Sequence, residues 1–292
     1  SADPEATPLL ISHGWPGSVV EFLDIIEPLR ETCHVVAPSL PGYAWSGPTA
    51  DPGWDTRRVA DCLAELMTRL GYDRFVAQGG DWGAMVTTQL GLRHPERLAG
   101  IHLNLVLAGP PEGVADFTDQ ELADLAAAGE YQASGSGYAQ IQGTKPQSLG
   151  YGLTDSPAGL AGWIAEKFLA WTDNDGTIES AVDRDALLAN ISTYWFTRTA
   201  PSSARLYYET MKSGRFGPLP DRIEVPTGGA IFPWEIYKPS RRFAEAVYRV
   251  VHWSEFDRGG HFAALEQPEL FVAELRRCFA TLRAAECGDS AD

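Results

Sequence analysis

The sequence predicts an α/β fold with a doubly wound, mostly parallel sheet and an inserted helical lid. Across residues 8–106, short apolar runs alternate with stretches in which apolar residues have helical spacing. Residues 109–220 contain helical stretches without a buried strand, and apolar runs return within residues 225–256. The segment 78–84 (QGGDWGA) places small residues on both sides of Asp81, which is the spacing of a nucleophile elbow between a strand and a helix.

Composition limits the class of protein. Of the 292 residues, 44% are apolar and 21% are charged, as in a globular protein. The formal net charge of −16 argues against nucleic acid or an anionic membrane as a partner. The four cysteines have neither a zinc-binding nor a disulfide spacing, and no apolar run is long enough to span a membrane. We therefore expect a cytoplasmic protein with reduced cysteines.

The predicted elements divide the chain into a first core part (1–108), a lid (109–220) and a second core part (221–292). Strands are predicted at 8–12, 34–38, 75–77, 98–106, 225–232 and 250–256, where short apolar runs end at turn residues. Core helices are predicted at 19–30, 59–70, from the elbow to about 94, at 239–248 and at 268–284, and lid helices at 119–129, 159–171 and 186–197. A polar tail, 285–292, carries no structural signal. Such a lid covers the carboxyl edge of the sheet, where ligands bind.

The aspartate at the elbow determines which chemistry the turn supports. A serine there needs a base and attacks acyl carbons, whereas the carboxylate of Asp81 is ionised at neutral pH and can displace a leaving group from a saturated carbon. That attack gives an ester on the enzyme, while attack on an acyl carbon would give a labile anhydride. Asp81 therefore argues against esterase and protease activity. The structural alternative is a helix cap in a phosphate-binding loop, but Trp82 interrupts the glycine pattern of such a loop.

A second turn, HGWPGS at residues 13–18, directly follows the first strand. Gly14 and Pro16 fix a backbone that aims the amide of Trp15 into the space above the sheet. Together with the amide of Trp82, it gives a predicted oxyanion hole with two backbone N–H donors. We interpret His13 as a structural residue that holds this turn.

Two later residues complete the order of nucleophile, acid and histidine that α/β hydrolases share. Glu235 follows a late strand, and His261 follows the last strand behind two glycines that let the loop bend toward Asp81. We therefore predict an α/β-hydrolase fold with His261 as a catalytic base. The residues alone leave the orienting carboxylate open between Glu235 and Asp257. The histidines interpreted as structural are His34, His94, His102 and His252.

From about Pro8 to Cys278, the chain resembles the epoxide hydrolases of the microsomal type, in their soluble bacterial form. The segments that carry the resemblance are PLLISHGWPGS, ELMTRLGYDRFVAQGGDWGA, LGYGLTDSPAGLAGWI, NISTYWFTRTAPSSARLYYE, VPTGGAIFPWE and DRGGHFAALEQPE. The resemblance implies hydrolysis of an oxirane to a vicinal diol without a metal or an organic cofactor. Asp81 matches the family nucleophile, His261 its base and Glu235 its third member.

The resemblance also implies a pair of lid tyrosines that bind and protonate the epoxide oxygen. They fall on Tyr151, in LGYGLTDSP, and on Tyr207, in SSARLYYE, where Tyr208 is the neighbour one position away. A phenol with a pKa near 10 can donate a hydrogen bond to the oxygen and release its proton as charge develops there. Without the resemblance, the same tyrosines could equally be lid aromatics that pack on the core.

Two other functions remain open at this stage. A haloalkane or haloacid dehalogenase shares the aspartate elbow, often followed by tryptophan, but needs halide-binding donors in the lid rather than paired phenols. Trp82, Trp163 and Trp195 keep that alternative open. The second alternative is an inactive binding module or a truncated fragment of the same fold.

Aromatic residues in the lid and loops predict a bulky apolar or aromatic epoxide as the substrate, with water as the second reactant. The candidates for the substrate pocket are Trp45, Trp163, Trp195, Phe196 and Phe262.

The sequence departs from the family in one respect. Relatives carry a long N-terminal region that includes the first strands of the sheet, but only 12 residues precede His13 here. The strand at 34–37 would then be an uncovered apolar edge. We expect lowered stability and self-association into a homo-oligomer, which a monomeric and highly heat-stable protein in sedimentation and melting experiments would contradict.

Overall fold

A six-stranded parallel sheet forms the centre of the protein. The computed structural model describes residues 1–214 and 221–289. The strands are β1 (Thr7–Ser12), β2 (Cys33–Val36), β3 (Phe75–Gly79), β4 (Leu98–Leu103), β5 (Ile223–Ile231) and β6 (Tyr248–Glu255). Their order is β2-β1-β3-β4-β5-β6, and every neighbouring pair is parallel. The predicted doubly wound sheet is confirmed, and its order reverses between β1 and β3, where ligands bind in such folds.

Helices flank the sheet and form the insertion. The core helices are α1 (Leu23–Leu29), α2 (Thr56–Arg69), α3 (Trp82–Arg93), α10 (Arg241–Val247), α11 (Ala263–Glu266) and α12 (Pro268–Asp289). Between β4 and β5 the described residues form α4 (Asp119–Glu130), a π-helical turn (Tyr131–Gly135), α5 (Gly137–Thr144), α6 (Pro146–Asp155), α7 (Pro157–Trp171), α8 (Arg184–Thr197) and α9 (Ala200–Lys212). The end of the predicted lid, 215–220, lies outside the described residues.

The structure differs from the predicted elements in several places, and α9 and α11 were not among the predicted helices. The predicted helix 19–30 begins as a 3-10 turn, Val19–Phe22, before α1. The short helices α5 and α6 were not predicted, because each carries two glycines, which weaken the helical signal in the sequence. The tail predicted to be without structure instead continues α12 as far as Asp289.

The two faces of the sheet have separate apolar cores. Leu9 and Ile11 of β1 point toward α1 and α12 and contact residues such as Phe271 and Leu275. Leu10, between them, points to the opposite face, which α2, α3 and the lid helices cover. This alternation buries both faces of the sheet, as parallel strands require.

One buried carboxylate links α12 to the sheet. Glu274 is fully buried, and its oxygens lie 2.7 Å from His252 Nε2, 2.8 Å from Ser254 Oγ and 2.9 Å from the Arg277 guanidinium. Burial opposes its ionisation, but the His102, Arg277 and Ser254 side chains outweigh burial and lower the pKa of Glu274 to about 2.

We expect Glu274→Gln to lower the free energy of unfolding at pH 7 by about 3 kcal/mol, because it removes the charge that these donors face. Since the folded state lowers the pKa of Glu274 below its ordinary value, the ionised group stabilises the fold above about pH 4.5. The stabilisation is lost as the pH falls toward 2. Urea unfolding at several pH values measures this effect. Glu269→Gln, at an exposed position of α12, is the matched control, and equal stability of both variants at pH 7 would contradict the prediction.

Three further features of the described residues concern the cysteines, the edge of the sheet and the length of the helices. Cys33, Cys62 and Cys278 are free thiols. β2 lies at one edge of the sheet and pairs, within the described residues, with β1 alone. Among the same residues, no helix combines the length and the apolar character needed to cross a bilayer.

Candidate active site

The turn between β3 and α3 holds Asp81 in a conformation that few residues adopt. Asp81 has φ 50° and ψ −129° and lies directly before the first residue of α3. The turn is tight enough that a Cβ on Gly79 would lie 2.2 Å from the Gly83 carbonyl oxygen, and one on Gly83 would lie 2.0 Å from that of Ser12. Only glycine fits at these two positions. This steric requirement explains the glycines on both sides of Asp81 from which the elbow was predicted.

The turn after β1 points a backbone donor at Asp81. The Trp15 amide donates to Asp81 Oδ1 at 2.7 Å. Residue 14 must be glycine, because a Cβ there would lie 2.1 Å from the same carboxylate oxygen. His13 is buried, and its Nδ1 lies 2.9 Å from the Gly14 carbonyl while its Nε2 accepts from the Leu40 amide at 3.1 Å. Burial lowers the pKa of His13 to about 4, so the ring is neutral, and its predicted structural role is confirmed.

His261 lies between two carboxylates. Its Nε2 is 3.2 Å from Asp81 Oδ2, and its Nδ1 is 2.6 Å from Glu235 Oε1. The same Glu235 oxygen accepts from the Ile236 amide at 2.7 Å, which fixes the carboxylate in place. Both Glu235 and His261 are buried. The structure thus places Glu235, and not Asp257, next to the histidine ring.

The loop that carries His261 is held by the end of lid helix α7. The His261 amide donates to the Trp171 carbonyl at 2.9 Å. The Gly259 amide donates to Asp173 Oδ2 at 2.8 Å, and Glu266 accepts from the amides of Asp173 and Phe262 at 2.8 and 3.0 Å. These bonds keep the imidazole in place even though its loop is rich in glycine.

The two carboxylates determine the charge of His261. Burial alone would lower its pKa, but Glu235 and Asp81 together raise the pKa of His261 well above the ordinary value. The ring is therefore an imidazolium at neutral pH while Asp81 is ionised. Loss of the Asp81 charge would remove one of the two attractions and lower the pKa of His261.

One of the two predicted tyrosines lies beside this site. Tyr207, on α9, is buried, and its ring centre is 4.5 Å from that of Trp82 and 5.9 Å from that of Trp15. Its neighbour Tyr208 lies elsewhere, with its ring 5.3 Å from the Lys212 ammonium. The backbone amide of Trp82 as the second oxyanion donor stays a prediction.

The placement of Tyr151 in the site is wrong. Tyr151, on α6, is 69% exposed. Helix α6 contacts α9 through Gly150, where a Cβ would lie 2.8 Å from Pro201. The next residue is turned about 100° further around the helix, so the side chain of Tyr151 points to solvent.

Tyr138, on α5, is the second buried tyrosine at the site. Its ring stacks on Trp15 at 5.0 Å and meets the Tyr207 ring edge-on at 5.9 Å. Its hydroxyl lies 3.0 Å from that of Tyr131. The sequence signal for this residue is weak, because Tyr131 lies in the π-helical turn and Tyr138 in α5, so their spacing of seven is not that of one α-helical face.

The predicted pocket residues separate into two groups. Phe262 is buried 5.0 Å from the His261 ring and stacks on Phe168 at 4.0 Å. Trp45 and Phe196 are 71% and 81% exposed, so their assignment to the pocket is wrong. Both lie where α8 and the 3-10 turn Ala44–Ser46 meet the outer surface. The partly buried Trp163 donates to Gln142 Oε1 at 3.0 Å, and its role, like that of the partly buried Trp195, stays a prediction.

A small cavity with polar and apolar residues in its lining lies beside the nucleophile and was not predicted. It has a volume of about 20 Å³, and its lining includes Glu21, Gln78, Asp81, Asn104 and His261. Two polar atoms in its wall, Ser12 Oγ and Gln78 Oε1, are buried without a hydrogen-bond partner among the described residues. Burial raises the pKa of Glu21 to about 8, with Asp81 adding to the effect and His261 opposing it. The only sequence signal for Glu21 is an acidic residue among the apolar neighbours of a short helix.

The lid is bonded directly to the turn after β1. Asn190 Nδ2 donates to the Pro16 carbonyl at 2.8 Å, and the Tyr194 hydroxyl donates to the Gly17 carbonyl at 2.6 Å. Both donors are buried on α8. The lid helix and the turn that presents the Trp15 amide are therefore one bonded unit.

Comparison with known proteins identifies the family. Residues 7–175 match the model of the α/β hydrolase fold family. The chain is 48% identical over 296 residues to a protein of Stigmatella aurantiaca (strain DW4/3-1) whose name assigns it to the epoxide hydrolases, with 97% of this chain and 67% of that protein covered. It is 36% identical to epoxide hydrolase 1 of Oryctolagus cuniculus, with 92% and 67% covered.

A solved structure agrees with these sequence matches. The juvenile hormone epoxide hydrolase of the silkworm Bombyx mori superposes with a TM-score of 0.89 at 32% identity, over 98% of this chain and 75% of that one. The fold, the arrangement of Asp81, His261 and Glu235, and these relatives lead to one conclusion. The chain belongs to the α/β-hydrolase fold family and, within it, to the epoxide hydrolases.

Proposed function

We propose that the chain hydrolyses an epoxide to a vicinal diol through an ester on Asp81. The observation that carries this proposal is the position of Asp81, with one oxygen bound by the Trp15 amide at 2.7 Å and the other 3.2 Å from His261 Nε2. The buried phenols of Tyr138 and Tyr207 pack on Trp15 and Trp82, next to this carboxylate. A nucleophile, a base and two proton donors thus meet at one edge of the sheet.

In the first step, an oxygen of Asp81 forms a bond to an epoxide carbon while the bond from that carbon to the ring oxygen breaks. The ring oxygen gains negative charge and accepts hydrogen bonds from Tyr138 and Tyr207. One phenol passes its proton to this oxygen, which becomes the first hydroxyl group of the product. The pair of Tyr138 and Tyr207 replaces the pair of Tyr151 and Tyr207 that the sequence predicted.

In the second step, water attacks the carbonyl carbon of the Asp81 ester. The ester has no charge, so the pKa of His261 falls and the imidazolium gives its proton to the phenolate left by the first step; the neutral Nε2 can then take a proton from the water. Glu235 stabilises the imidazolium that forms, and the Trp15 amide stabilises the oxyanion. When the intermediate collapses, His261 protonates the leaving oxygen to give the diol. The remaining proton of the water, now on the Asp81 carboxylic acid, passes to His261, which restores the carboxylate and the imidazolium of the resting enzyme.

The cavity beside Asp81 is a suitable place for the water. Its volume of about 20 Å³ is enough for one water molecule. Glu21, with its pKa raised to about 8, is protonated at neutral pH and can donate a hydrogen bond to that water.

The apolar walls support a bulky apolar or aromatic epoxide. Trp171 and Phe262 are buried aromatic residues with ring centres 5.0 Å from that of His261, and the buried Tyr138 ring lies 5.3 Å from Trp171. The Bombyx mori relative is named for a juvenile hormone epoxide, and we propose a substrate of comparable apolar character here. The free cysteines support a cytoplasmic location, and self-association through the free edge of β2 stays a prediction.

The test is the intact mass of His261→Ala after incubation with styrene oxide. Without its base, the protein should accumulate an adduct equal in mass to the whole epoxide, and Asp81→Asn in the same background should form none. A haloalkane is tested in parallel. An adduct equal to the haloalkane without its halide, together with no epoxide adduct, would overturn the proposal in favour of a dehalogenase. Folded protein that forms neither adduct with any tested epoxide would also contradict it.

A further inference from the structure

Lys167 is a buried cation next to the proposed proton donors. It lies on α7, is 6% exposed, and its Nζ is 4.4 Å from the centre of the Tyr138 ring and 5.7 Å from that of Trp171. Its ion-pair partner, Glu166, has a side chain that is 59% exposed and is therefore screened by water. The fold thus holds an ammonium group against an aromatic ring, although burial of a charge is costly.

The two phenols at the site have different surroundings. Tyr138 has a cation over its ring, stacks on Trp15, and has a second phenol, Tyr131, 3.0 Å from its hydroxyl. Tyr207 meets the uncharged rings of Trp15, Trp82 and Tyr138. The lid therefore gives the two phenols different electrostatic surroundings.

We propose that Lys167 is a positioning residue for ring opening, which makes Tyr138 the phenol that gives up its proton and leaves Tyr207 to orient the epoxide oxygen. This inference rests on the proposed function. A cation over a neutral phenol interacts with the ring quadrupole, but the same cation interacts with a full negative charge once the phenolate forms. The stabilisation therefore grows as the proton moves from Tyr138 Oη to the epoxide oxygen, and it acts on the transition state.

Other groups around Tyr138 act against its ionisation. Burial raises the pKa of Tyr138 well above its ordinary value, and the neighbouring Tyr131 and Asp81 raise it further, while the hydrogen bond with Tyr207 lowers it. Lys167 is the cation that lies over the ring from α7. Its charge compensates for surroundings that would otherwise make Tyr138 too weak an acid.

The experiment measures the rate of alkylation in single turnovers. Proteins that also carry His261→Ala are mixed with excess styrene oxide and quenched, and the alkylated fraction is followed by intact mass. We expect Lys167→Met to slow alkylation about 30-fold, and Lys167→Arg to restore most of the rate. We also expect the alkaline limb of the rate profile to move up by about one pH unit in Lys167→Met, because Tyr138 becomes a weaker acid.

Two comparisons distinguish this role from a structural one. Lys212→Met removes the cation over Tyr208, outside the site, and should leave the rate unchanged. In a Tyr138→Phe background, Lys167→Met should change the rate less than about 3-fold, because the phenol on which it acts is gone. A structural defect would instead persist in that background and would lower the melting temperature.

The outcomes separate the inference from the proposed function. If Lys167→Met alkylates at the parent rate, or loses the same factor with and without Tyr138, the role of Lys167 is overturned while the Asp81 ester stands. If Lys167→Met raises KM only for epoxides that carry a carboxylate, Lys167 binds substrate instead, and the inference is also overturned. If the His261→Ala parent forms no adduct with any epoxide, the proposed function fails and the inference fails with it.

Discussion

Asp81→Asn will lower epoxide turnover by about 10⁴-fold or more, to the level of the uncatalysed reaction. Asparagine is nearly isosteric and can accept from the Trp15 amide as Asp81 Oδ1 does at 2.7 Å. Its amide is a poor nucleophile, however, and does not carry the charge that faces His261. The loss should therefore appear in both the alkylation rate and kcat, with little change in melting temperature.

Diol formation from styrene oxide, measured by chromatography, checks this prediction. Asp155→Asn is the matched control, because it makes the same chemical change at an exposed position at the end of α6. A folded Asp81→Asn protein that retains more than about one hundredth of the wild-type rate would show that the carboxylate is not the nucleophile.

The double variant Tyr138→Phe, Tyr207→Phe will lower the alkylation rate by about 10³-fold, and each single variant by about 10- to 100-fold. Phenylalanine keeps the ring contacts of Tyr138 with Trp15 and of Tyr207 with Trp82, and removes only the hydroxyl groups. The epoxide oxygen would then develop negative charge without a donor. Hydrolysis of a preformed ester on Asp81 should change much less, because the phenols do not act on the attacking water.

Tyr151→Phe is the matched control, because it makes the same chemical change at the other tyrosine predicted from the sequence. Its side chain is 69% exposed, so the variant should alkylate at the wild-type rate. Stopped-flow or quenched-flow measurement of alkylation in all four proteins decides between the two assignments. A large loss in Tyr151→Phe with none in Tyr138→Phe would mean that α5 and α6 change places at the site when substrate binds.

The difference between Tyr138 and Tyr151 shows what could be predicted from the sequence and what could not. Asp81 and His261 lie in tight turns where a side chain on the neighbouring glycines would clash with nearby backbone. Because these glycines lie close to the two residues in the sequence, the local sequence motif is enough to predict where each side chain lies. The direction of a side chain on a short lid helix depends on which face packs against its neighbour. Gly150 against Pro201 decides this for α6, and no local pattern records that contact.

The prediction of the pocket residues was partly wrong for a related reason, since burial of a side chain also depends on packing between distant segments. Trp45 and Phe196 are large and apolar, which predicts burial, yet both are exposed on the outer surface. Phe262 could be predicted to lie at the site because it directly follows His261 in the sequence. Glu21 was not predicted as a site residue because burial, rather than sequence spacing, raises the pKa of its carboxyl group. How deeply a side chain is buried is known only from the complete fold.

The two hydrogen bonds from α8 to the carbonyls of Pro16 and Gly17 limit how this protein can be recombined with its relatives. A lid is an attractive cassette for exchange, because it lies between β4 and β5 and carries the tyrosines. Here, however, Asn190 and Tyr194 of the lid hold the backbone that presents the Trp15 amide. A grafted lid without matching donors would leave that amide misplaced, and a new specificity would come with a damaged oxyanion hole. Lid and turn must therefore be exchanged as a single cassette.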